Sequence, residues 1–393
     1  MLTTAESPAP SGHGARVGPV RAVYALAVAI LLAGPTALAF FSGGYFETAQ
    51  ECAGLGAWAL VVAGITMLRR PLSNGRAGRV AIAALAGLAA WTLCSLAWAP
   101  IVGSAYDAGQ LAFLYLGGLI AAAALLRTRS SRRAVEPALA AGALIVIGYG
   151  LSERLVPGLL HFARSASAQG RLEQPLTYWN AMGELAALGF VLATRLAGDE
   201  TRGRRLRVAA VAACAPLGLG VSLSVSRGAL FACLAGVLVL IVVAPRRAQL
   251  RAALLAVGSG LVVSIVAAPF RGVTLLAGSP STREREGAIV LAALVVVMVV
   301  AAAGAAALSA RERGGTLRLP RRAPVIALAL ICAGFALAVA LGAHESSGQP
   351  LSAGATRYET LQSNRYAYWG TALDAFASAP IEGVGAGGWA VWW

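Results

Sequence analysis

Lysine is absent from this chain and acidic residues are scarce: all 32 basic side chains are arginine, against 17 Asp and Glu. Charged residues make up only 12% of the 393 positions, about half the roughly 25% of a soluble domain. With 58% hydrophobic residues and a mean hydropathy of +0.72, too little polar surface exists to clothe a water-soluble globule. The composition excludes that class and specifies an integral membrane protein. Histidine is nearly missing, with only His13, His161 and His344. Cys52, Cys94, Cys214, Cys233 and Cys332 lie apart in or beside apolar runs with no CxxC, which excludes a cysteine metal centre and a disulfide framework. No metal and no cofactor is expected. The net charge of +15 does not describe a nucleic-acid surface, because the arginines stand in short clusters between apolar runs, where they anchor topology.

Apolar runs of bilayer length, about 20 residues each, are what the chain has in abundance. Eleven stand out, near 22–41, 54–68, 80–98, 108–126, 136–152, 178–197, 208–224, 228–245, 252–270, 287–309 and 323–343, the second and fifth being short. Forty-six glycines and long alanine stretches suit helices whose backbones approach closely in lipid. The expected fold is an all-α polytopic bundle of about 11 transmembrane helices over 21–343. A disordered Ser/Pro/Gly-rich cytoplasmic tail at 1–20 precedes it, and a large extracytoplasmic loop at 344–393 follows. With the N-terminus in the cytoplasm, 23 of the 32 arginines fall on cytoplasmic connections, while 42–53 and 99–107 hold none. That alternation is the positive-inside pattern of a cytoplasmic membrane protein. The stretch TALAF also fits a signal-peptide cleavage site, but its run is long for a leader, and cleavage there leaves the remaining topology unchanged.

Nine arginines stand on the face where positive charge is disfavoured: Arg154, Arg164, Arg171, Arg227, Arg271, Arg283, Arg285, Arg357 and Arg365. Arg283 and Arg285 alternate with Glu284 and Glu286 and read as a self-neutralised, solvated loop. Arg154 follows Glu153 and reads as a local pair or a snorkelling side chain. Arg227, in Ser226-Arg227-Gly228 between two apolar runs, sits in a turn too short to be a free loop and points at something anionic. Residues 170–190 carry Arg171, a proline turn, the pair Tyr178-Trp179, then Asn180 opening a helix with Glu184 one turn further along the same face. In 364–389, Arg365 starts a helix in which Tyr366, Trp369, Leu373 and Phe376 recur at helical spacing. That is an amphipathic helix lying on the membrane surface and stopping before Pro380. Gly383, Gly385 and Gly388 spell GxGxxG but follow no strand, and read as a flexible loop rather than a nucleotide fingerprint. Trp392 and Trp393 read as an interfacial belt.

Over roughly residues 80–393 the chain resembles the O-antigen ligase and polymerase superfamily of polytopic envelope proteins. The resemblance is carried by Arg171 with Asn180, by Ser226-Arg227-Gly228, and by Arg365, Trp369, Ala372-Leu373, Pro380, Gly383 and Gly385, three weak motifs in the family's order. It implies a metal-independent glycosyltransferase that moves a glycan from an undecaprenyl-pyrophosphate carrier to an acceptor hydroxyl on a glycan, lipid or protein, at the outer face of the cytoplasmic membrane. Membrane lipids would be its other partners. Arg227, Arg171 and Arg365 would be catalytic, stabilising the departing pyrophosphate through bidentate bonds in place of a metal; Asn180, Glu184, Tyr366 and Trp369 would bind substrate. The family's base is a histidine of the external loop, beyond the glycine-rich segment, where this sequence has none. The resemblance therefore implies a chain cut at Trp393 and lacking transfer activity, with His344 or Glu184 as the base otherwise. A transporter or channel for a small anion, its cationic ring acting as a selectivity element, is the alternative class; no internal repeat of the transporter kind is seen.

Overall fold

The computed structural model describes residues 18–67, 75–160, 162–310, 315–344 and 365–393. These fold as α1 (Pro19–Ala39), α2 (Glu47–Met67), α3 (Arg76–Cys94), α4 (Val102–Leu125), α5 (Arg129–Leu155), α6 (Trp179–Gly198), α7 (Arg204–Ser224), α8 (Arg227–Val243), α9 (Arg247–Ala267), the single turn α10 (Arg271–Thr274), α11 (Pro280–Ala310), α12 (Ala323–His344) and α13 (Arg365–Ser378). Among the described residues no β-strand occurs, and nine helices are long and apolar enough to cross a membrane. The 17-residue α8 and the apolar stretch Ala323–Leu337 of α12 are shorter. The chain is an all-α polytopic membrane protein. The tail at 1–17, His161 and the whole stretch from 345 to 364, with Arg357, lie outside the described residues.

Each of the eleven apolar runs became a helix, but the lengths moved. The second and fifth runs looked short because charged turns flank them, yet α2 is 21 residues and α5 is 27. Arg129, Arg132, Arg133 and Glu136 form the first turns of α5, where Thr128 Oγ1 accepts the Ser131 N–H at 3.0 Å, a cap that lets a polar stretch start a helix. Arg283 to Glu286 are likewise not a loop. They lie in the opening turns of α11, and Glu286 Oε2 accepts the Gly272 N–H at 2.6 Å.

α6 and α7 are the central pair, with 61% of each apolar window buried against 11% for α1, α2 and α3. Around them α5, α9 and α11 close a core that includes Ile147, Met182, Leu217, Cys214 and Val263. α1 to α4 pack outside α5, and α8 and α12 lie along the far flank of α6. α7 crosses α9 closely: a methyl added at Gly218 would stand 2.6 Å from the Gly260 Cα. Backbone cannot yield as a side chain can, so Gly218→Ala is expected to cost about 1–3 kcal/mol. Thermal unfolding in detergent checks this; an unchanged transition would mean the two helices can part freely.

The connections α1–α2, α3–α4, α5–α6, α7–α8 and α9–α11 gather at one end, here the upper end. Leu172 N donates to Leu223 O at 2.9 Å, and the carbonyl of Leu275 approaches Gly170. The other connections meet at the lower end, where Arg133 Nη2 donates to Thr201 O at 2.8 Å and Arg202 pairs with Glu136 at 3.0 Å. Asp199 closes that corner. Burial pushes its carboxyl up, but hydrogen bonds from the Thr201 hydroxyl and N–H, with the charges of Arg195 and Arg202, outweigh this and hold it below the usual range.

Candidate functional site

The α7–α8 connection has only two residues, Val225 and Ser226, as its sequence required. Ser226 Oγ accepts the Ala229 N–H at 3.3 Å and caps α8, so Arg227 occupies the first helical position at the upper end, half-buried. Val225 is held at φ 49°. A β-branched side chain resists that conformation, and such strain, of order 1–3 kcal/mol, persists where surroundings over-determine it. They do so here because α6 is pressed onto the turn: a methyl on Gly183 would come within 2.5 Å of Ser224 Oγ and 2.8 Å of Ala229 Cβ.

At the next residue, Glu184 Oε1 stands 3.5 Å from where a methyl on Gly228 would lie. The carboxylate therefore sits directly beside the Ser226-Arg227-Gly228 turn, on an exposed face of α6. Asn180 lies four residues earlier on that face. It does not open the helix: Tyr178 occupies the cap position without a side-chain cap, Trp179 is the first helical residue, and Asn180 Nδ2 donates to Tyr178 Oη at 2.7 Å.

Arg171 reaches the same cluster from the α5–α6 connection. Its Nε donates to Ala168 O at 2.7 Å and its Nη2 to Ser167 O at 2.8 Å, while the guanidinium carbon lies 3.9 Å from the Trp179 ring centroid. That is stacked cation–π geometry, and the side chain is 6% exposed. The indole N–H of Trp179 is buried with no acceptor among the described residues. Glu173 braces the loop by accepting from Ser165 N at 2.8 Å and Ser165 Oγ at 2.5 Å.

Behind this loop lies a residue whose role the sequence hid. Arg154 neither pairs with its neighbour nor snorkels: it is 1% exposed, donating from Nη1 to Val273 O at 2.6 Å and Thr274 O at 3.3 Å, and from Nη2 to Gly170 O at 2.6 Å. Glu153 turns instead to Arg164 at 2.7 Å. One guanidinium thus ties α5, α10 and the residue preceding Arg171. The only sequence signal was its position: an arginine near the end of an apolar run, on the face where arginine is disfavoured.

The distal motif opens α13. Arg365 starts α13, but the side chains of Arg365 and Tyr366 lie outside the described residues, as do those of His161 and His344. Trp369, Leu373 and Phe376 are exposed, 45%, 67% and 61%, as a face lying on a membrane requires. The glycine-rich segment is not a flexible loop. Gly385 and Gly387 adopt φ 80° and 72°, and added methyls would meet Ala99 at 2.6 Å and Ser104 at 2.4 Å. Ala386 N donates to Ser95 Oγ at 3.1 Å. The segment docks on the α3–α4 corner, and Tyr368 packs edge-on against Trp389 and Trp393. Glu184 thus borders the Ser226-Arg227-Gly228 turn, with Asn180 on the same face of α6 and Arg171 stacked on the neighbouring Trp179, and the glycine-rich segment that follows α13 docks on the α3–α4 corner.

Among the described residues no group of three or more His, Cys, Asp or Glu stands together as a metal centre. No protein-family model, curated protein or solved structure matches the chain. Fold and site define a class, a multi-pass α-helical membrane protein with two arginines, a carboxylate and a carboxamide clustered at the mouth of its central helices.

Proposed function

We propose that this protein is a glycosyltransferase of the ligase or polymerase type in the cytoplasmic membrane, moving a glycan from undecaprenyl pyrophosphate to an acceptor hydroxyl, with the upper end extracytoplasmic. The observation that carries the reading is the convergence of Arg227, Arg171, Asn180 and Glu184, from the α5–α6 connection, α6 and the start of α8, at one end of the bundle. In the reaction the acceptor oxygen attacks the anomeric carbon, the carbon–oxygen bond to pyrophosphate breaks, and pyrophosphate leaves with the electron pair. A guanidinium at the first turn of a helix offers that leaving group both a bidentate donor and the positive end of the helix dipole. Arg171, held by carbonyls and the Trp179 face, adds a fixed positive charge behind it. Asn180 and Glu184 on the exposed face of α6 are placed to hydrogen-bond acceptor hydroxyls. The acceptor proton passes to a base, and the carboxylate of Glu184, which borders the Arg227 turn, is the one the cluster supplies.

Purified protein in proteoliposomes is expected to transfer glycan from a polyprenyl-pyrophosphate donor, with Glu184 or His344 rather than an external-loop histidine as base, and not to take up radiolabelled phosphate or chloride. Anion uptake without transfer would assign the cationic cluster to an anion pathway instead. Orientation is tested separately. In a background with the five native cysteines replaced, Ser281→Cys at the upper end is expected to react with a membrane-impermeant thiol reagent on intact cells, and Ser130→Cys at the lower end to remain unlabelled. The reverse pattern would place the arginine cluster in the cytoplasm, away from any lipid-linked glycan presented outside.

A further inference from the structure

A second feature of the upper end takes no part in the cluster around Arg227. Between the start of the α5–α6 connection and the first turns of α11 lies a cleft of about 280 Å³, lined by Glu153, Arg164, Arg283 and Glu284 together with Phe162 and Pro157. Its volume falls just below the roughly 300–1,000 Å³ of sites for drug-sized ligands, room for one sugar ring rather than for a chain.

The lining is mixed in charge and balanced. Glu153, only 6% exposed, accepts from Arg164 Nε at 2.7 Å, so one carboxylate and one guanidinium are locked together in the wall. Arg283 and Glu284 add a second opposite pair. Arg283 Nε is buried with no hydrogen-bond partner among the described residues. Phe162 is held in place by Tyr149, ring centroids 4.8 Å apart, and gives the cleft an apolar wall. A phosphate would meet two carboxylates beside the two guanidiniums, so the lining offers it no net positive charge. A neutral polyhydroxyl ring meets what it needs: carboxylate acceptors, guanidinium donors and an aromatic flank for its C–H face.

We propose that this cleft is a binding subsite for an uncharged sugar residue, separate from the pyrophosphate-binding cluster. Its role as a subsite for the transferred or accepting glycan rests on the glycosyltransferase reading; its chemistry does not. A sugar held there would orient the glycan while the lipid-linked end lies at Arg227. No sequence pattern pointed to the site, since Arg283 and Glu284 read as a self-neutralised loop.

The test is saturation-transfer NMR on the purified full chain in lipid nanodiscs, free of glycosidic detergent, with methyl glucoside, methyl galactoside and N-acetylglucosamine as probes. At least one sugar is expected to bind wild type and to bind about tenfold more weakly to Glu284→Gln and to Phe162→Ala, the loss expected from one hydrogen bond to a charged group or one ring contact. Glu284 is exposed, so its isosteric variant keeps the fold, and melting temperatures of both variants are recorded beside wild type. No binding by any of the three sugars, binding unmoved by both variants, or displacement of the sugar by millimolar inorganic phosphate would each overturn the proposal. Pyrophosphate titration of wild type is run in parallel. Pyrophosphate binding without sugar binding sinks the subsite and leaves the transferase reading standing; sugar binding without pyrophosphate binding does the opposite.

Discussion

Arg227→Lys is expected to lower glycan transfer by about 10²-fold while insertion, expression and melting temperature stay close to wild type. Arg227 begins α8 behind a Ser226 cap and is half-buried at the upper end, so its removal opens no core cavity. Lysine keeps the charge but presents a compact, strongly hydrated ammonium where a planar fork can grip two oxygens of pyrophosphate at once. Groups that stabilise charge developing on a leaving oxygen are worth about 10²–10³ in rate. The loss should fall on kcat more than on KM, because charge builds on the bridging oxygen only as its bond breaks. Full activity in both Arg227→Lys and Arg227→Ala would leave the arginine as a membrane-surface anchor.

The largest structural effect is expected at Arg154. Arg154→Leu deprives three carbonyls, Val273 O, Thr274 O and Gly170 O, of their donor, and each unsatisfied buried group costs about 1–3 kcal/mol. Because unfolded segments in lipid also find partners, the low end of that range is the better guide, giving about 3 kcal/mol in all. The melting temperature should fall by several degrees, and activity should fall with it, since Gly170 precedes Arg171. Arg154→Lys, with three donors but no planar spread, is expected to recover part of the stability. A melting temperature unchanged in Arg154→Leu would show that the α5–α10–loop junction holds without the guanidinium.

These two arginines also show how far the sequence could be read. Arg227 was legible because two apolar runs of helix length left room for nothing but a tight turn, and the turn has two residues. Asn180 and Glu184 were legible as neighbours, since residues four apart share a helix face; that this face looks onto Gly228 was not. Arg154 was misread because its partners stand 16, 119 and 120 residues away. Arg171 was read as a free ligand-seeking cation, yet much of its hydrogen bonding goes to Ala168 O and Ser167 O while its face lies on Trp179. In the glycine-rich segment, glycine was rightly noticed and wrongly explained. Its φ > 0 and its missing side chains serve close docking onto Ala99 and Ser104.

By itself the sequence determined the class of protein, the number and rough positions of its helices, and the alternation of their connections between two ends. Those properties follow from local facts: hydrocarbon tolerates about 20 apolar residues with internally bonded backbone, and arginine clusters stand on every second connection. Only the tertiary structure decided which cations act as bolts and which face a cleft, that Glu184 borders the turn of Arg227 while Arg171 lies on Trp179, and that α11 begins early enough for Arg283 to line a wall beside Glu153. A polar group buried among helices takes its partners from whatever segment packs against it, and that packing is set by the fit of small residues such as Gly183, Gly218 and Gly260 across helices far apart in the chain. No pattern along the sequence encodes such a partner locally.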